Sequence, residues 1–192
     1  MKMKDLVLRS RSCRRFEEHR EISREVLREL VDLGRLSASA MNIQPLKYII
    51  SSDRETNSLI FPHLAWAALL EDWDGPEEGE RPAGYIIILN DTEISASPEC
   101  DHGIAAQSIM LGAAERGLGG CMIGAVQRRA LKTALSIPKQ YDVLLVIALG
   151  YPAEEVCIEE VRADGSIAYW RDSSKVHHVP KRSLESVIIG EH

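Results

Sequence analysis

The chain has 192 residues, which is enough for one domain with a substantial core and short for two. Its composition, 45% hydrophobic and 27% charged, is ordinary for a soluble globular protein. A formal net charge of −6 argues against a general nucleic-acid-binding protein, because such proteins present a positive field to phosphates. We therefore predict a single domain over residues 1–192 and no nucleic-acid partner.

The cysteines are scattered along the chain and form neither a CxxC motif nor a Cys/His pair at zinc-ligand spacing. Isolated thiols are typical of a reducing compartment. Residues 1–16 lack the apolar core of a signal peptide, and no apolar run reaches the length of a membrane span. The sequence predicts a cytoplasmic protein with no metal site and no membrane contact.

A short helix over Asp5–Ser10 is predicted to lead into a turn rich in arginine. Four arginines fall within the seven residues 9–15. Arginine can hold phosphate oxygens with two parallel hydrogen bonds, and Ser12 adds a neutral donor. An exposed basic turn explains the same pattern, so the residues alone leave both interpretations open.

An amphipathic helix with a serine N-cap is predicted over Ser23–Gly34. Residues 37–45 then lead into a strand over Lys47–Ser51. The amides of Asn42 and Gln44 can bind the edge of a heterocycle or cap nearby backbone groups, and both interpretations remain open.

The remaining helices, strands and loops are predicted from apolar runs and from the glycines, prolines and polar clusters that interrupt them. Residues 59–73 are predicted to be helical, and an acidic loop follows. Two continuous apolar runs, Tyr85–Leu89 and Asp142–Gly150, are typical of central strands. A further helix is expected over Gln127–Ser136. In residues 156–170, an Asp-Gly pair predicts a hairpin, and the basic tail ends in a short amphipathic segment.

The stretch Pro98–Gly124 is the feature around which the chain is organised. Ser97 is a suitable helix cap, and Gly117 suits a left-handed helix exit. Between them the residues are apolar or small on nearly all sides, so the helix must be buried in a core or against a partner subunit. The run GLGGCMIG at 117–124 contains four glycines. It indicates either a C-cap and tight turn or backbone that passes close to another group.

The chain lacks the GxSxG, HExxH and GxxxxGK[ST] motifs. Its glycine run follows a helix, whereas a dinucleotide fingerprint opens one. His177 and His178 are adjacent, so on a strand they point to opposite faces and can hardly share a metal. The remaining candidates are arginines that could bind a phosphate, side-chain amides and exposed backbone N–H donors. None of them is a nucleophile. This pattern indicates a bound cofactor that brings its own reactivity.

Residues 11–16, 39–45, 101–124 and 179–184 resemble the motifs of the FMN-dependent nitroreductase family, in the family's order and spacing. The likeness covers almost the whole chain. It implies an α+β fold with a central, mostly antiparallel sheet surrounded by helices. It also implies an intertwined homodimer with two FMN sites at the subunit interface and the long helix buried in that interface.

The resemblance also assigns cofactor contacts by position. The N-terminal arginine turn would hold the phosphate, ribityl chain and pyrimidine side of FMN, and residues 39–44 would come from the partner subunit. Gly119, Gly120 and Gly124 would let the backbone run against the ring, with the Gly124 N–H near the flavin N5. Either Lys181 or Arg182 would close the phosphate site. The implied cofactor-binding residues are Arg11, Ser12, Arg14, Ser39, Asn42, Gln44, Cys121, Met122, Ile123, Gly124, Lys181 and Arg182.

Two positions depart from the family pattern. Ser10 stands where many members have a further arginine, and residues 59–73 lack the asparagine or lysine that some members use near the pyrimidine.

The resemblance implies flavin-centred transfer of hydride from NAD(P)H to a nitroarene, a quinone or a similar small electron-poor acceptor, with no catalytic side chain. The alternatives are another flavin enzyme on the same scaffold (a dehydrogenase, a dehalogenase or a flavin-consuming enzyme) and a non-catalytic flavin-binding protein.

Overall fold

A four-stranded antiparallel sheet with strand order β1-β2-β4-β3 lies at the centre of the fold. The structure is a computed structural model that describes residues 2–70 and 72–192. The central strands β2 and β4 are mostly buried, as their apolar runs predict. The strands of this sheet are β1 (Leu46–Ser51), β2 (Gly84–Asp91), β3 (Gly119–Ile123) and β4 (Tyr141–Gly150).

Helices cover both faces of this sheet. In chain order the helices are α1 (Met3–Arg9), α2 (Arg24–Arg35), α3 (Arg54–Ile60), α4 (Asp101–Glu115), α5 (Arg128–Ala134) and α6 (Leu184–Val187). Successive residues of β2 point to opposite faces. Ile86 therefore packs in the core cluster formed with α2 and α4, whereas Ile87 packs in the cluster that contains Leu131 of α5. The predicted α+β architecture is confirmed.

The helix predicted for residues 59–73 is wrong over most of its length. α3 ends at Ile60 and one 3₁₀ turn, Phe61–His63, follows. Pro62 within that turn has no N–H to continue a helix. The chain beyond it pairs with the segment after β3 instead: Ala65 N donates to Ala125 O, and Gln127 N donates to His63 O, both at 2.9 Å. This pairing places residues 64–68 beside the end of β3.

α4 begins at Asp101, so the predicted serine cap is wrong. Cys100 occupies the N-cap position without a side-chain hydrogen bond, and Ser97 Oγ accepts from Glu99 N at 3.3 Å in the preceding turn. The predicted left-handed exit is confirmed, since Gly117 has φ +77°. Buried residues of α4 pack on α2 and the sheet, but a strip including Ile104, which is 42% exposed, remains uncovered within one chain.

A second, smaller sheet follows β4, with β5 (Val156–Glu160), β6 (Trp170–Arg171) and β7 (His177–Lys181) in the order β5-β7-β6. The predicted hairpin is wrong, because β5 pairs with β7 in parallel. The Asp-Gly turn does form, with Gly165 at φ +78°. However, residues 167 and 168 after it are exposed, whereas β7 buries His177 and Pro180 and so offers β5 a packed neighbour.

Within the described ranges, no helix combines the length and the apolar character that crossing a membrane requires.

Candidate functional site

The N-terminal arginine turn lies alongside the glycine-rich strand β3. Ser12 forms a parallel bridge with Gly120, and Cys13 N donates to Gly120 O at 2.9 Å. Arg14 and residues 121–125 consequently line one cavity of about 190 Å³. Its other walls are residues 65–68 and Tyr169. Two parts of the predicted site that are far apart in sequence are thus brought together.

Arg14 is held in place from the C-terminal segment. Its backbone N donates to Glu154 Oε1 at 2.5 Å, and its Nη1 lies 3.2 Å from His177 Nε2. The guanidinium carbon lies 5.2 Å from the centroid of the Tyr169 ring. A guanidinium can only donate, so His177 Nε2 is the acceptor and the imidazole is neutral in this contact. The arginine is therefore oriented by a neutral histidine.

His177 is 1% exposed, and its pKa is lowered to about 4 by burial and, to a smaller extent, by the neighbouring Arg14 and Arg171 cations. An unfolded chain would bind this proton near pH 6.5, so unfolding takes up a proton between about pH 4 and pH 6.5. The stability that depends on neutral His177 is complete above that window and is lost as the pH falls through it.

We expect a His177→Gln protein to lose less stability than the wild type between pH 6.5 and pH 4. Glutamine keeps an acceptor for Arg14 but does not titrate. Urea unfolding at intervals across this window measures the difference, and all other titrating groups are common to both proteins. Equal pH dependence in the two proteins would show that His177 is not the group responsible.

The two buried cysteines near the cavity are not activated nucleophiles. Burial and, to a smaller extent, the neighbouring Glu154 raise the pKa of Cys13 to about 12. Burial also raises the pKa of Cys121, against the lowering effects of Arg14 and Ser12. Thiols with raised pKa values remain protonated and react slowly. Cys121 therefore contributes its backbone and a neutral surface to the cavity.

The glycines in β3 and directly after it are explained by different causes. A Cβ at Gly119 would lie 2.9 Å from Pro152 Cγ, and one at Gly120 would lie 2.9 Å from the Ala148 carbonyl oxygen. These two glycines are required by packing inside the chain, so the prediction that they face a ligand is wrong. A Cβ at Gly124 would meet no atom within 4 Å. Only Gly124 of these three borders open space.

The segment with Asn42 and Gln44 lies at a different cavity, of about 430 Å³. Asp101, at the start of α4, anchors it by accepting from Ser39 Oγ at 2.6 Å and from Ala40 N at 2.9 Å. Met41, Asn42 and Gln44 have φ values of +49°, +56° and +54°. Such values are uncommon outside glycine and mark local strain. The strained loop presents Asn42 and Gln44 to solvent.

The other basic residues of the predicted site are not brought beside Arg14. Arg11 caps α1, because its Nε donates to Ser10 O at 2.8 Å and its Nη2 to Val7 O at 3.0 Å. Lys181 and Arg182 are exposed at the end of β7 opposite to His177. Four residues of strand correspond to about 13 Å. Their convergence on one phosphate therefore stays a prediction.

The sequence pattern of the Nitroreductase family matches residues 7–151. The chain belongs to the nitroreductase family. An Archaeoglobus fulgidus protein provisionally named NADH dehydrogenase/NAD(P)H nitroreductase is 27% identical over 158 residues, covering 78% of this chain and 85% of that protein. An oxygen-insensitive NADPH nitroreductase of Helicobacter pylori is 32% identical over 62 residues, which is 32% of this chain and 30% of that protein.

Solved structures of nitroreductases share the fold of this nitroreductase-family chain. A Desulfovibrio desulfuricans protein provisionally named a nitroreductase and solved in complex with FMN superposes with a TM-score of 0.70. It is 22% identical, and the likeness covers 98% of this chain and 96% of that one. An FMN-dependent nitroreductase of Clostridium difficile gives a TM-score of 0.64 at 24% identity, over 80% and 89% of the two chains.

The side chains that surround Arg14 in this nitroreductase-family chain carry no recognisable signal in the sequence. Glu154, Tyr169 and His177 lie beyond residue 151, where the family pattern ends. No spacing in the sequence links them to Arg14, because the contacts depend on how the small sheet packs beside β3. Trp66 was expected in a helix, yet it lines the cavity with Nε1 buried and unpaired among the described residues.

Proposed function

We propose that this chain is an FMN-dependent NAD(P)H oxidoreductase that reduces nitroaromatic, quinone or similar electron-poor acceptors. One observation carries the proposal: in a chain of this family, Arg14 and residues 121–124, which end at the unobstructed Gly124, line the same cavity. Bound FMN would supply the redox chemistry by accepting hydride from NAD(P)H and passing it to the acceptor. The four free cysteines fit a reducing compartment, and we place the enzyme in the cytoplasm.

The residues at this cavity fit a flavin. Gly124 leaves backbone unobstructed where a flat ring needs to approach it closely. Arg14 supplies a positive charge beside that backbone, which suits the negative charge that a flavin gains on reduction. Trp66 also lines the same cavity.

The chain's own part in the reaction is to bind, orient and stabilise. His177 holds the Arg14 guanidinium at 3.2 Å, and Glu154 holds its backbone. The neutral Cys121 thiol adds no competing charge. We assign no proton transfer to a side chain, and electrostatic stabilisation by Arg14 is the principal contribution of the protein.

We further propose that the working enzyme is a homodimer in which each site uses both chains. The cavity of about 190 Å³ is well below the roughly 300–1,000 Å³ of pockets that enclose a small ligand. The strained loop with Asn42 lies at another cavity of its own chain, so it is available to a second copy. Ile104, which is 42% exposed on α4, would give the second copy an apolar contact. Sedimentation of the flavin-loaded protein tests this, and a monomer that retains flavin would contradict it.

The function is tested with purified protein under anaerobic conditions. We expect a yellow protein whose flavin absorbance is bleached by NADH or NADPH and restored by a nitroarene or quinone. Protein that binds FMN but is not bleached by either nucleotide would favour the non-catalytic alternative. Bleaching without reoxidation by these acceptors would favour another flavin enzyme. A protein that binds no added FMN would overturn the proposal.

We expect Arg14→Ala to weaken FMN binding by about 10- to 150-fold. The lost charge-assisted hydrogen bonds correspond to about 1.5–3 kcal/mol. Arg28→Ala is the matched control, since Arg28 is an exposed arginine on α2. Fluorescence titration of each apoprotein with FMN gives the dissociation constants. Unchanged affinity in Arg14→Ala would remove Arg14 from the site.

A further inference from the structure

We propose that the small C-terminal sheet holds a divalent transition-metal ion, with Zn²⁺ the best fit, between Cys157, Glu159 and His178. One ligand atom from each of these residues lies within 4.8 Å of the others. All three side chains are half-buried. This proposal does not depend on the proposed flavin chemistry.

The parallel pairing of β5 and β7 creates this juxtaposition. In the ladder Cys157 is directly opposite His178, and Glu159 is two residues further along β5. Alternate strand residues share a face, so Cys157 and Glu159 project to the same side of the sheet. The ligands are separated in sequence by a loop and a further strand, and they match no zinc motif. Of the two adjacent histidines only His178 belongs to this site, because His177 contacts Arg14 instead.

His178 has a carboxylate at each ring nitrogen. Its Nδ1 lies 2.5 Å from Glu159 Oε1, a direct hydrogen bond that an ion bound by both groups would replace, while Nε2 lies 3.3 Å from Asp172 Oδ2. A ligating histidine ordinarily donates its second N–H to a carboxylate, which fixes its tautomer. The Trp170 ring stacks on His178 with centroids 3.9 Å apart and planes 5° apart.

The carboxylate behind His178 is itself fixed. Asp172 Oδ1 accepts from the backbone N of Ser174 and of Val176, both at 2.9 Å. The imidazole is therefore oriented by a rigid turn on one side and a stacked ring on its face. Such preorganisation lowers the ordering cost of binding an ion.

The donor set indicates the metal. One thiolate, one imidazole and one carboxylate match the sulfur, nitrogen and oxygen ligands of Zn²⁺, and hard ions such as Mg²⁺ disfavour sulfur. Three protein ligands leave a fourth position for water. Binding must displace the Cys157 proton, so affinity should rise with pH. An ion here would clamp β5 to β7, and β7 also carries His177, which contacts Arg14.

Cobalt titration tests the site, because Co²⁺ substitutes for Zn²⁺ and a cobalt–thiolate bond gives a near-ultraviolet charge-transfer band. Untagged, chelator-treated full-length protein is titrated with CoCl₂ and then with ZnCl₂. We expect the band to saturate at one ion per chain and to disappear as Zn²⁺ displaces cobalt. Cys100→Ser, which removes an exposed cysteine elsewhere, should behave as the wild type.

Cys157→Ser should abolish the cobalt band, and Asp172→Asn should weaken binding by about 10- to 100-fold, as loss of an orienting carboxylate does. If Cys157→Ser fails to fold, Glu159→Gln, which changes a partly exposed side chain, should still show weakened binding with an unchanged far-ultraviolet spectrum. Absence of the band in wild-type protein, or a band that persists in Cys157→Ser, would overturn the proposal.

Discussion

A Gly124→Val protein should fold as the wild type does and lose its FMN. The added side chain would meet no atom within 4 Å at Cβ, so the chain itself has no reason to reject it. Gly124 also lies outside the left-handed φ region, and a β-branched residue can adopt its backbone. The methyl groups would fill the space that the proposed flavin ring requires.

The matched control is Gly120→Val, which makes the same change four residues earlier in β3. There a Cβ would lie 2.9 Å from the Ala148 carbonyl oxygen, the Leu149 side chain and Met110 Sδ. Overpacking of this kind costs about 1–3 kcal/mol or more. We therefore expect Gly120→Val to lower the melting temperature, whereas Gly124→Val should leave it nearly unchanged.

Flavin content, melting temperature and single-turnover reduction by NAD(P)H separate the two effects. Gly124→Val with normal flavin and normal reduction would show that no ring lies against this backbone. A lowered melting temperature with intact flavin chemistry would instead make Gly124 an ordinary turn glycine.

Periodic patterns in the sequence predict most of the main sheet and its helices. The apolar runs of β2 and β4 are typical of central strands, and both form them. α2 begins at its predicted cap, where Ser23 Oγ accepts from Val26 N at 3.3 Å. These elements are determined by local residue order, which is the information that a sequence carries directly.

The errors occur where a long-range contact decides the structure. Residues 64–68 are apolar enough for a helix, but Ala65 N donates to Ala125 O in the segment after β3. The Asp-Gly turn at 164–165 forms as expected, yet the pairing of β5 is decided by β7. The candidate site suffers from the same limit. Arg14 and Gly124 could be predicted from motifs, whereas Glu154 and His177 are placed there by the packing of the small sheet.

Glu154→Ala should destabilise the protein by about 3–5 kcal/mol, because it leaves a mostly buried cation without its partner. The Glu154 side chain is fully buried, and its Oε2 accepts from Arg171 Nη2 at 2.8 Å. Only 14% of the Arg171 side chain is exposed. The other carboxylate oxygen accepts from Arg14 N, so the same change should also weaken FMN binding.

The double variant Glu154→Ala/Arg171→Met distinguishes a stranded charge from a simple loss of packing. Methionine keeps much of the arginine stem and removes the cation, so the double variant should be more stable than Glu154→Ala alone. Urea unfolding at pH 7 measures both proteins. If the two substitutions add instead, the ion pair is not what Glu154 contributes. FMN affinity should remain reduced in the double variant, because the backbone N of Arg14 still lacks its acceptor.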